Sequence, residues 1–354
     1  MKVPSKSSFM EDAVRSIDTS WLMKDELDHK SRVQLQHLHH PRERVPSVDC
    51  ETMDSTVSVS SPSSYGEDDS WKDDTLMTVD LFPYDTPLDD LRNQGYANVK
   101  KIHWIRHAQG YHNIGDAKCR DNIDARLTPE GIEQCRALAT AIQNAPGGST
   151  LHDVLHATEL IVTSPLTRCV QTAVHSLRPI LEINPDVPIV ANDSIRETVN
   201  FNCDRRRPIR EIAGDFPRVD FAQACPHDED DVWERYVAAL GDDAGYTLDR
   251  ESAEIHAVAD RCRRFFADWL RNRPEGNVVV CCHATVSRCI FNFGMDAGRT
   301  PTDAEQRLDH RDPDDRGCKD EPVVNFGHHT ALEKYLREDF KNCELRSMIV
   351  AYKN

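Results

Sequence analysis

The sequence predicts an α/β fold whose sheet is largely parallel. From about Val99 onward, short apolar stretches alternate with amphipathic segments of helical period, as strands do when helices connect them. The stretch at 277–282, NVVVCC, is too apolar on both faces for the edge of a sheet, which indicates a central strand. A chain of 354 residues is long enough for one large domain or two small ones.

Strands and helices are predicted in alternation along this part of the chain. Strands are expected at 101–105 (KIHWI), 159–165 (ELIVTSP), 186–193 (DVPIVAND), 277–285 (NVVVCCHAT) and 345–352 (LRSMIVAY). Helices are expected at 127–148, 166–181, 232–240, 251–274 and 286–295. The first helix is the best defined, because Thr128 is a candidate N-cap, Pro129 takes the first helical position, and Pro146 with the two glycines after it ends the apolar period.

The N-terminal part of the chain has a different composition. Residues 1–95 are polar and rich in Ser, Thr and acids without sustained periodicity, which predicts a disordered leader with a short helix near Phe9–Leu27. Within it, 79–87 (VDLFPYDTP) is expected to pack onto the domain as an arm. The domain itself is placed at 96–354, with a polar insertion at about 296–322 that is a surface loop or, alternatively, a lid.

Charge and composition exclude several classes of function. A formal net charge of −17 argues against general nucleic-acid binding and gives no long-range attraction to an anionic substrate, so an anion site needs local arginines. No apolar run reaches the length of a membrane span, and the N-terminus lacks the apolar core of a secretory signal. The twelve cysteines form no CxxC pair, which predicts reduced thiols, no metal site and a cytoplasmic protein.

Charged side chains follow four of the predicted strands. In an open α/β sheet, ligands bind beyond the carboxyl ends of the strands. One histidine or one arginine at such a point is more often structural, but the set converges on a single edge of the sheet. Its members are Arg106, His107, Arg168, Arg196, Glu197 and His283.

This combination of side chains suits phosphate chemistry. The planar forks of Arg106 and Arg168 can bind phosphoryl oxygens, and a neutral imidazole can attack phosphorus. Glu197 can give a proton to the leaving oxygen and later take one from water. The guanidinium and imidazole groups supply the positive charge, so the sequence requires neither a divalent metal nor another cofactor.

Five ordered blocks carry a family resemblance: RHAQGYHN (106–113), LTPEG (127–131), SPLTRCVQTA (164–173), RETVNFNCDRRRP (196–208) and VVVCCHAT (278–285). Together they resemble the histidine phosphatase superfamily, the phosphoglycerate-mutase-like proteins, over roughly residues 98–295. The closing NCELRSMIV (342–350) is similar to the last strand of the eukaryotic mutase-like branch.

The resemblance implies a three-layer α/β/α sandwich with a mixed, mainly parallel sheet. It implies that His107 accepts the phosphoryl group, that Glu197 is the proton donor, and that Asn113 touches the phosphoryl group. The phosphate pocket would consist of Arg106, Arg168 and His283. Gly110, in the same block as Asn113, is assigned to substrate binding with it.

The blocks also depart from the family's common form. Ala108 and Ala284 stand where glycine usually follows each histidine. The segment after Glu197 is unlike the substrate-gripping segment of glycolytic mutases. Its Arg205 and Arg206, with Arg207 the weakest candidate, are expected either to bind a second phosphate or carboxylate or to form a basic surface loop.

Three functions stay open at this point. Hydrolysis of a small phosphomonoester through a phosphohistidine is favoured, because of that divergent segment. A phosphomutase would use the same intermediate, and a non-catalytic phosphoryl-binding protein would use the same pocket. The sequence identifies no protein partner.

Overall fold

The structure, a computed structural model, describes residues 78–115, 121–240, 250–251, 255–293 and 322–353. The first half of the described chain contains β1 (Val79–Pro83), α1 (Leu88–Asn93), β2 (Tyr96–Arg106), α2 (Pro129–Gln143), α3 (Thr150–Ala157), β3 (Leu160–Thr163), α4 (Thr167–Ser176), α5 (Arg178–Ile183) and β4 (Ile189–Ala191). The second half contains α6 (Ile209–Asp215), β5 (Val219–Asp220), α7 (Asp231–Leu240), α8 (Ile255–Arg264), β6 (Asn277–Cys282), α9 (Ala284–Asn292), β7 (Val324–Asn325), α10 (Thr330–Arg337) and β8 (Leu345–Lys353).

The described strands form one mixed sheet in the order β5-β4-β3-β6-β2-β8-β1-β7. Strand β8 runs antiparallel to its neighbours β2 and β1, and the other adjacent pairs are parallel. Strand β6 lies between β3 and β2, which confirms the prediction of a central strand.

Apolar cores cover both faces of this sheet. Along β6, Val278 and Val280 join one core cluster, whereas Val279 and Cys281 join the other, as the alternation of side chains along a strand requires. Helices α8, α9 and α10 pack on the first face, and helices α2 to α6 pack on the second. The fold is therefore the expected three-layer α/β/α sandwich.

The N-terminal boundary of the folded domain differs from the expectation. Residues 78–95, assigned to the leader from their composition, contain β1 and α1, and β1 pairs with both β8 and β7. Val79 and Leu81 are buried in the core, so this arm is a strand of the sheet. The remainder of the expected leader, residues 1–77, lies outside the described residues, as does nearly all of the expected insertion at 296–322.

Two predicted helices are divided. The segment expected as one helix over 166–181 forms α4 and α5, because Pro179 has no N–H to donate to the preceding turn. The segment expected at 251–274 is helical from Ile255 and continues after α8 as a π-helical stretch, Phe265–Leu270. No helix in the described ranges is both long and apolar enough to cross a membrane.

Candidate active site

The two histidines meet because their strands are parallel neighbours. In the register of β2 and β6, Arg106 lies opposite Cys282, and the N–H of His107 donates to the carbonyl of Cys282 over 2.8 Å. His107 and His283 therefore follow the two strands at the same edge of the sheet. Their ring centroids lie 5.1 Å apart, and both side chains are buried.

One nitrogen of the His107 ring is fixed by the backbone. Nδ1 lies 2.7 Å from the carbonyl oxygen of Ala108, so Nδ1 carries the proton and donates it, and the lone pair is on Nε2. Burial, with the nearby charges of Arg168 and Arg106, holds the pKa of His107 well below the usual histidine range. The ring is thus neutral at pH 7, as a nucleophile must be.

Arg168 lies in the first turn of α4 and is completely buried. Its Nε donates to Nδ1 of His283 over 3.3 Å, and its two terminal nitrogens donate to the carbonyl of Cys203 and to Oδ1 of Asp204 over 2.6 and 3.2 Å. A guanidinium has five N–H groups. Three of them fix the orientation of Arg168, and two are left for a ligand.

The N-terminus of α4 is capped by a side chain that is distant in the sequence. The N-cap residue of α4, Leu166, has no side-chain oxygen, and the first-turn N–H of Thr167 instead donates to Oδ1 of Asp124 over 2.7 Å. Asp124 therefore does the work of an N-cap for the helix that carries Arg168. Its backbone φ of 48° lies in the left-handed region, which aspartate tolerates better than most residues.

Arg106 has fewer protein partners than Arg168. One terminal nitrogen donates to the carbonyl of Phe340 over 2.6 Å, whereas the buried Nε has no hydrogen-bond partner within the described part of the chain. Burial lowers the pKa of Arg106, although Glu197 opposes this shift. A buried guanidinium with an unused donor is costly to the fold unless an anion binds it.

Glu197 follows the short 3₁₀ turn after β4 and lies against the N-terminus of α9. Its Oε1 accepts from the N–H groups of Thr198 and Val286 over 2.9 and 3.2 Å. Burial raises the pKa of Glu197 above the usual glutamate range, and the charge of Asp204 adds to this effect. A carboxyl group whose pKa is raised in this way is suited to act as a general acid.

His283 is the N-cap residue of α9, and both ring nitrogens are occupied. Nδ1 accepts from Arg168, so Nε2 carries the proton and donates to Oγ of Ser164 over 2.7 Å. Burial and the charge of Arg168 lower the pKa of His283 well below the usual range, which keeps the ring neutral.

Asn113 and Gly110 belong to one turn after β2. The N–H of Gly110 donates to Oδ1 of Asn113 over 3.0 Å, so Gly110 has no backbone donor left for a substrate. A Cβ on Gly110 would lie 2.6 Å from Nδ1 of His112, which explains the glycine. Instead of the expected direct contact, Gly110 shapes the turn that presents Asn113.

The structure corrects the expectation for Arg206. Its side chain is buried, and its terminal nitrogens donate to four carbonyl oxygens, those of Arg207, His227, Asp228 and Glu229. Its Nε lies 3.9 Å from Oδ1 of Asp193. Arg206 therefore holds the loop before α7 together through both terminal nitrogens, while its buried Nε has no hydrogen-bond partner within the described residues.

Arg205 and Arg207 differ from Arg206 and from each other. Arg207 is bound to Asp124, Thr167 and Asp215, which makes it structural. Arg205 is partly exposed; it donates to Glu234 over 3.2 Å, and its guanidinium lies over the Trp233 ring, 5.6 Å from the ring centroid. The three arginines border a cleft of about 240 Å³ whose lining also contains Ile123, Pro208, Glu229, Asp230 and Glu234.

Several residues that sequence reasoning missed support the site. Asp204 orients Arg168, and Oγ1 of Thr172 accepts from the N–H of Ala108 over 3.0 Å. Gly131 of the LTPEG block packs on the loop after His107 so closely that a Cβ would lie 2.1 Å from the carbonyl oxygen of Gln109. The LTPEG block gave a hint of this contact, because its glycine stands inside a helix, where glycine is unfavourable.

No group of three or more metal-binding side chains exists among the residues that the structure describes.

Comparisons with known proteins agree with the geometry. Residues 102–307 match the family model of the histidine phosphatase superfamily, branch 1. A phosphoglycerate mutase-like protein of Arabidopsis thaliana is 28% identical over 282 residues, which cover 71% of this chain and 84% of that protein. Phosphoglycerate mutase-like protein 2 of the same plant is 26% identical over 310 residues, covering 72% and 75%.

Among solved structures, the ecdysone phosphate phosphatase of Bombix mori in complex with tungstate aligns at 15% identity and a TM-score of 0.37, covering 70% of this chain and 88% of that one. The phosphoglycerate mutase of Bacillus anthracis aligns at 15% identity and a TM-score of 0.32, covering 59% and 85%. With the family model matched over more than half of its length, this chain belongs to the histidine phosphatase superfamily, branch 1.

Proposed function

We propose that this protein is a phosphomonoester hydrolase that works through a phosphohistidine on His107, with Glu197 as general acid and base and without a divalent metal. The single observation that carries the proposal is the state of His107. Its Nδ1 is held by a carbonyl, its ring is kept neutral, and its unprotonated Nε2 lies in a cluster that contains two buried guanidinium groups.

In the first step, the lone pair of His107 Nε2 forms a bond to phosphorus while the ester P–O bond breaks. The departing oxygen takes the proton of Glu197, whose raised pKa favours the protonated form. The ring becomes positively charged as it is phosphorylated, and the bond from Nδ1–H to the carbonyl of Ala108 stabilises that charge. Arg106, Arg168 and Asn113 donate to the phosphoryl oxygens.

In the second step, a water molecule attacks phosphorus and gives its proton to the Glu197 carboxylate. The P–N bond breaks, inorganic phosphate leaves, and both residues return to their starting states. His283 stays neutral and holds Arg168 in place through Nδ1. A mutase would differ only in the acceptor of the phosphoryl group, which would be a hydroxyl group in place of water. The plant relatives are named as mutase-like proteins, which supports this alternative.

The substrate we propose is a small phosphomonoester, with Arg205 reaching a second anionic group where one is present. Arg205 is directly preceded in the chain by Asp204, which contacts Arg168. The nine described cysteines are free and buried, which supports a reducing, cytoplasmic location.

The test is phosphate release from a panel of phosphomonoesters in EDTA, with His107→Ala as the control. We expect release by the wild type alone, and a loss of at least about 10⁴-fold in the variant. We also expect an acid-labile, alkali-stable phosphoryl label on the wild type and none on His107→Ala. Release by the variant at the wild-type rate would refute the nucleophile. Labelling without release, followed by transfer to an added alcohol, would establish the mutase.

A further inference from the structure

A loop near the C-terminus closes onto the end of β2. This closing loop, Phe340 to Glu344, connects α10 with β8 and binds the backbone of Arg106 from both sides. The N–H of Arg106 donates to the carbonyl of Glu344 over 3.2 Å, and the N–H of Cys343 donates to the carbonyl of Arg106 over 3.0 Å. Cys343 has a φ of 59°, in the left-handed region that non-glycine residues seldom occupy.

Asn342 lies at the centre of the closing loop and faces the nucleophile. Its Nδ2 donates to the carbonyl oxygen of His107 over 3.0 Å and lies 3.5 Å from Oδ1 of Asn113. Asn342 is separated from His107 by 235 positions, so only the tertiary fold brings the two together.

The second contact determines which way the Asn113 amide points. Oδ1 of Asn113 has two donors beside it, the N–H of Gly110 at 3.0 Å and Nδ2 of Asn342 at 3.5 Å. An amide oxygen turned towards two donors leaves its NH₂ group pointing away from them. Asn113 is then a donor, as a phosphoryl oxygen requires, rather than an acceptor that would repel it.

We infer that Asn342 is a positioning residue of the phosphoryl transfer, which acts through the His107 backbone and the Asn113 amide together. The inference rests on the proposed function for its chemistry and on the contacts above for its geometry. The loop itself does not depend on this side chain, because the backbone bonds of Cys343 and Glu344 and the Phe340 carbonyl bond to Arg106 hold it. Loss of the side chain should therefore change kcat much more than folding.

The chain offers a matched control in Asn144. Its Nδ2 also donates to a backbone carbonyl, that of Thr140, over 3.0 Å, but it is exposed at the C-terminal end of α2. A helix of 15 residues is about 22 Å long, and the opposite end of α2 is the one that packs on the nucleophile's loop. We expect Asn342→Ala to lower kcat at least about tenfold with KM changed less than threefold, and Asn144→Ala to leave both unchanged.

A second variant separates positioning from a structural role. In Asn342→Asp, the protonated carboxyl can still donate to the His107 carbonyl, whereas the carboxylate cannot. The ratio of its kcat to the wild-type kcat should therefore be at least about fivefold higher at pH 5 than at pH 8, a difference of about 0.7 in the logarithm of the ratio. His107, His112 and Glu344, the other ionisable groups near this contact, are present in both proteins, so the ratio isolates the new carboxyl group.

Binding of inorganic phosphate, measured by calorimetry, keeps this test independent of turnover. If the wild type binds phosphate but hydrolyses no substrate, the proposed function fails, and weaker phosphate binding by Asn342→Ala than by Asn144→Ala still supports the positioning role. A pH-independent ratio, or Asn342 variants that match the Asn144 variant in kcat and in phosphate binding, would overturn the inference. So would a variant whose activity loss follows only from a lowered melting temperature.

Discussion

Two buried arginines, Arg106 and Arg206, show how differently the same side chain is used in two regions of this molecule. Arg206, in the segment after Glu197, donates to four backbone carbonyls. Arg106, at the end of β2, donates from a terminal nitrogen to one carbonyl, that of Phe340, and the buried Nε of each arginine has no hydrogen-bond partner within the described residues. Both are buried, with 8% of Arg106 and 3% of Arg206 exposed, so burial alone does not distinguish a structural arginine from a binding one.

The difference lies in which donors the protein itself satisfies. A cluster of arginines in a sequence suggests anion binding, but around Arg206 the loop carbonyls take the place of the anion. Near His107, the terminal nitrogens of Arg106 make one hydrogen bond to the described residues, and an anion could accept from their remaining N–H groups. An arginine whose terminal nitrogens have few protein acceptors is thus a better candidate for anion binding than one whose terminal nitrogens are all paired.

The largest expected effect is the loss of activity on substitution of Glu197, which precedes Arg206 in the same segment. Glu197→Gln should slow hydrolysis of an alkyl phosphate by about 10²- to 10⁴-fold, because the amide cannot protonate the alkoxide, and should slow an activated aryl phosphate far less. The measurement is kcat/KM for both substrates. Equal losses on the two substrates would contradict the acid role of Glu197.

The pKa shifts of His107 and Glu197 predict how hydrolysis of the alkyl phosphate depends on pH. The depressed pKa of His107 keeps the nucleophile neutral as pH falls, so activity should be lost only well below the usual histidine range. The raised pKa of Glu197 lets the acid stay protonated to higher pH than an ordinary glutamate does, and activity on the alkyl phosphate should fall as pH rises through that pKa. Glu197→Gln should keep the acidic limb and lose the basic one.

The next prediction compares the two arginines directly. Arg106→Met should lower kcat/KM by about 10²-fold or more and should cost less stability than Arg206→Met, because only one carbonyl, that of Phe340, loses its donor. Arg206→Met should destabilise the fold by about 3 kcal/mol, since four carbonyls lose a charged donor. Urea unfolding and kinetics on both variants test this. The comparison fails if Arg106→Met is the less stable of the two.

The smallest effect concerns Arg205. Its contact with Glu234 is exposed and contributes little to stability. We expect Arg205→Ala to unfold like the wild type and to raise KM up to about tenfold for a substrate with a second anionic group. A substrate with a single phosphate and no other charge serves as the control. An unchanged KM on the doubly anionic substrate would remove Arg205 from the binding residues.

The order of elements in the chain was enough to predict much of this protein. Alternating apolar and amphipathic segments predicted the α/β class, and the apolar NVVVCC stretch predicted the centre of the sheet. Because parallel strands end at one edge, the residues directly after them, His107 and His283, could be expected to meet. These conclusions depend on local pattern and on general rules of sheet geometry, which a sequence contains.

Other features were decided only by tertiary structure. Whether Arg206 binds a substrate or a loop depends on carbonyls some 20 positions away, and composition alone placed 78–95 outside a domain in which β1 is a paired strand. The contact of Asn342 with His107 spans 235 positions. A hydrogen-bond partner so distant in the chain leaves no local pattern, because its position is set by the packing of the whole sheet.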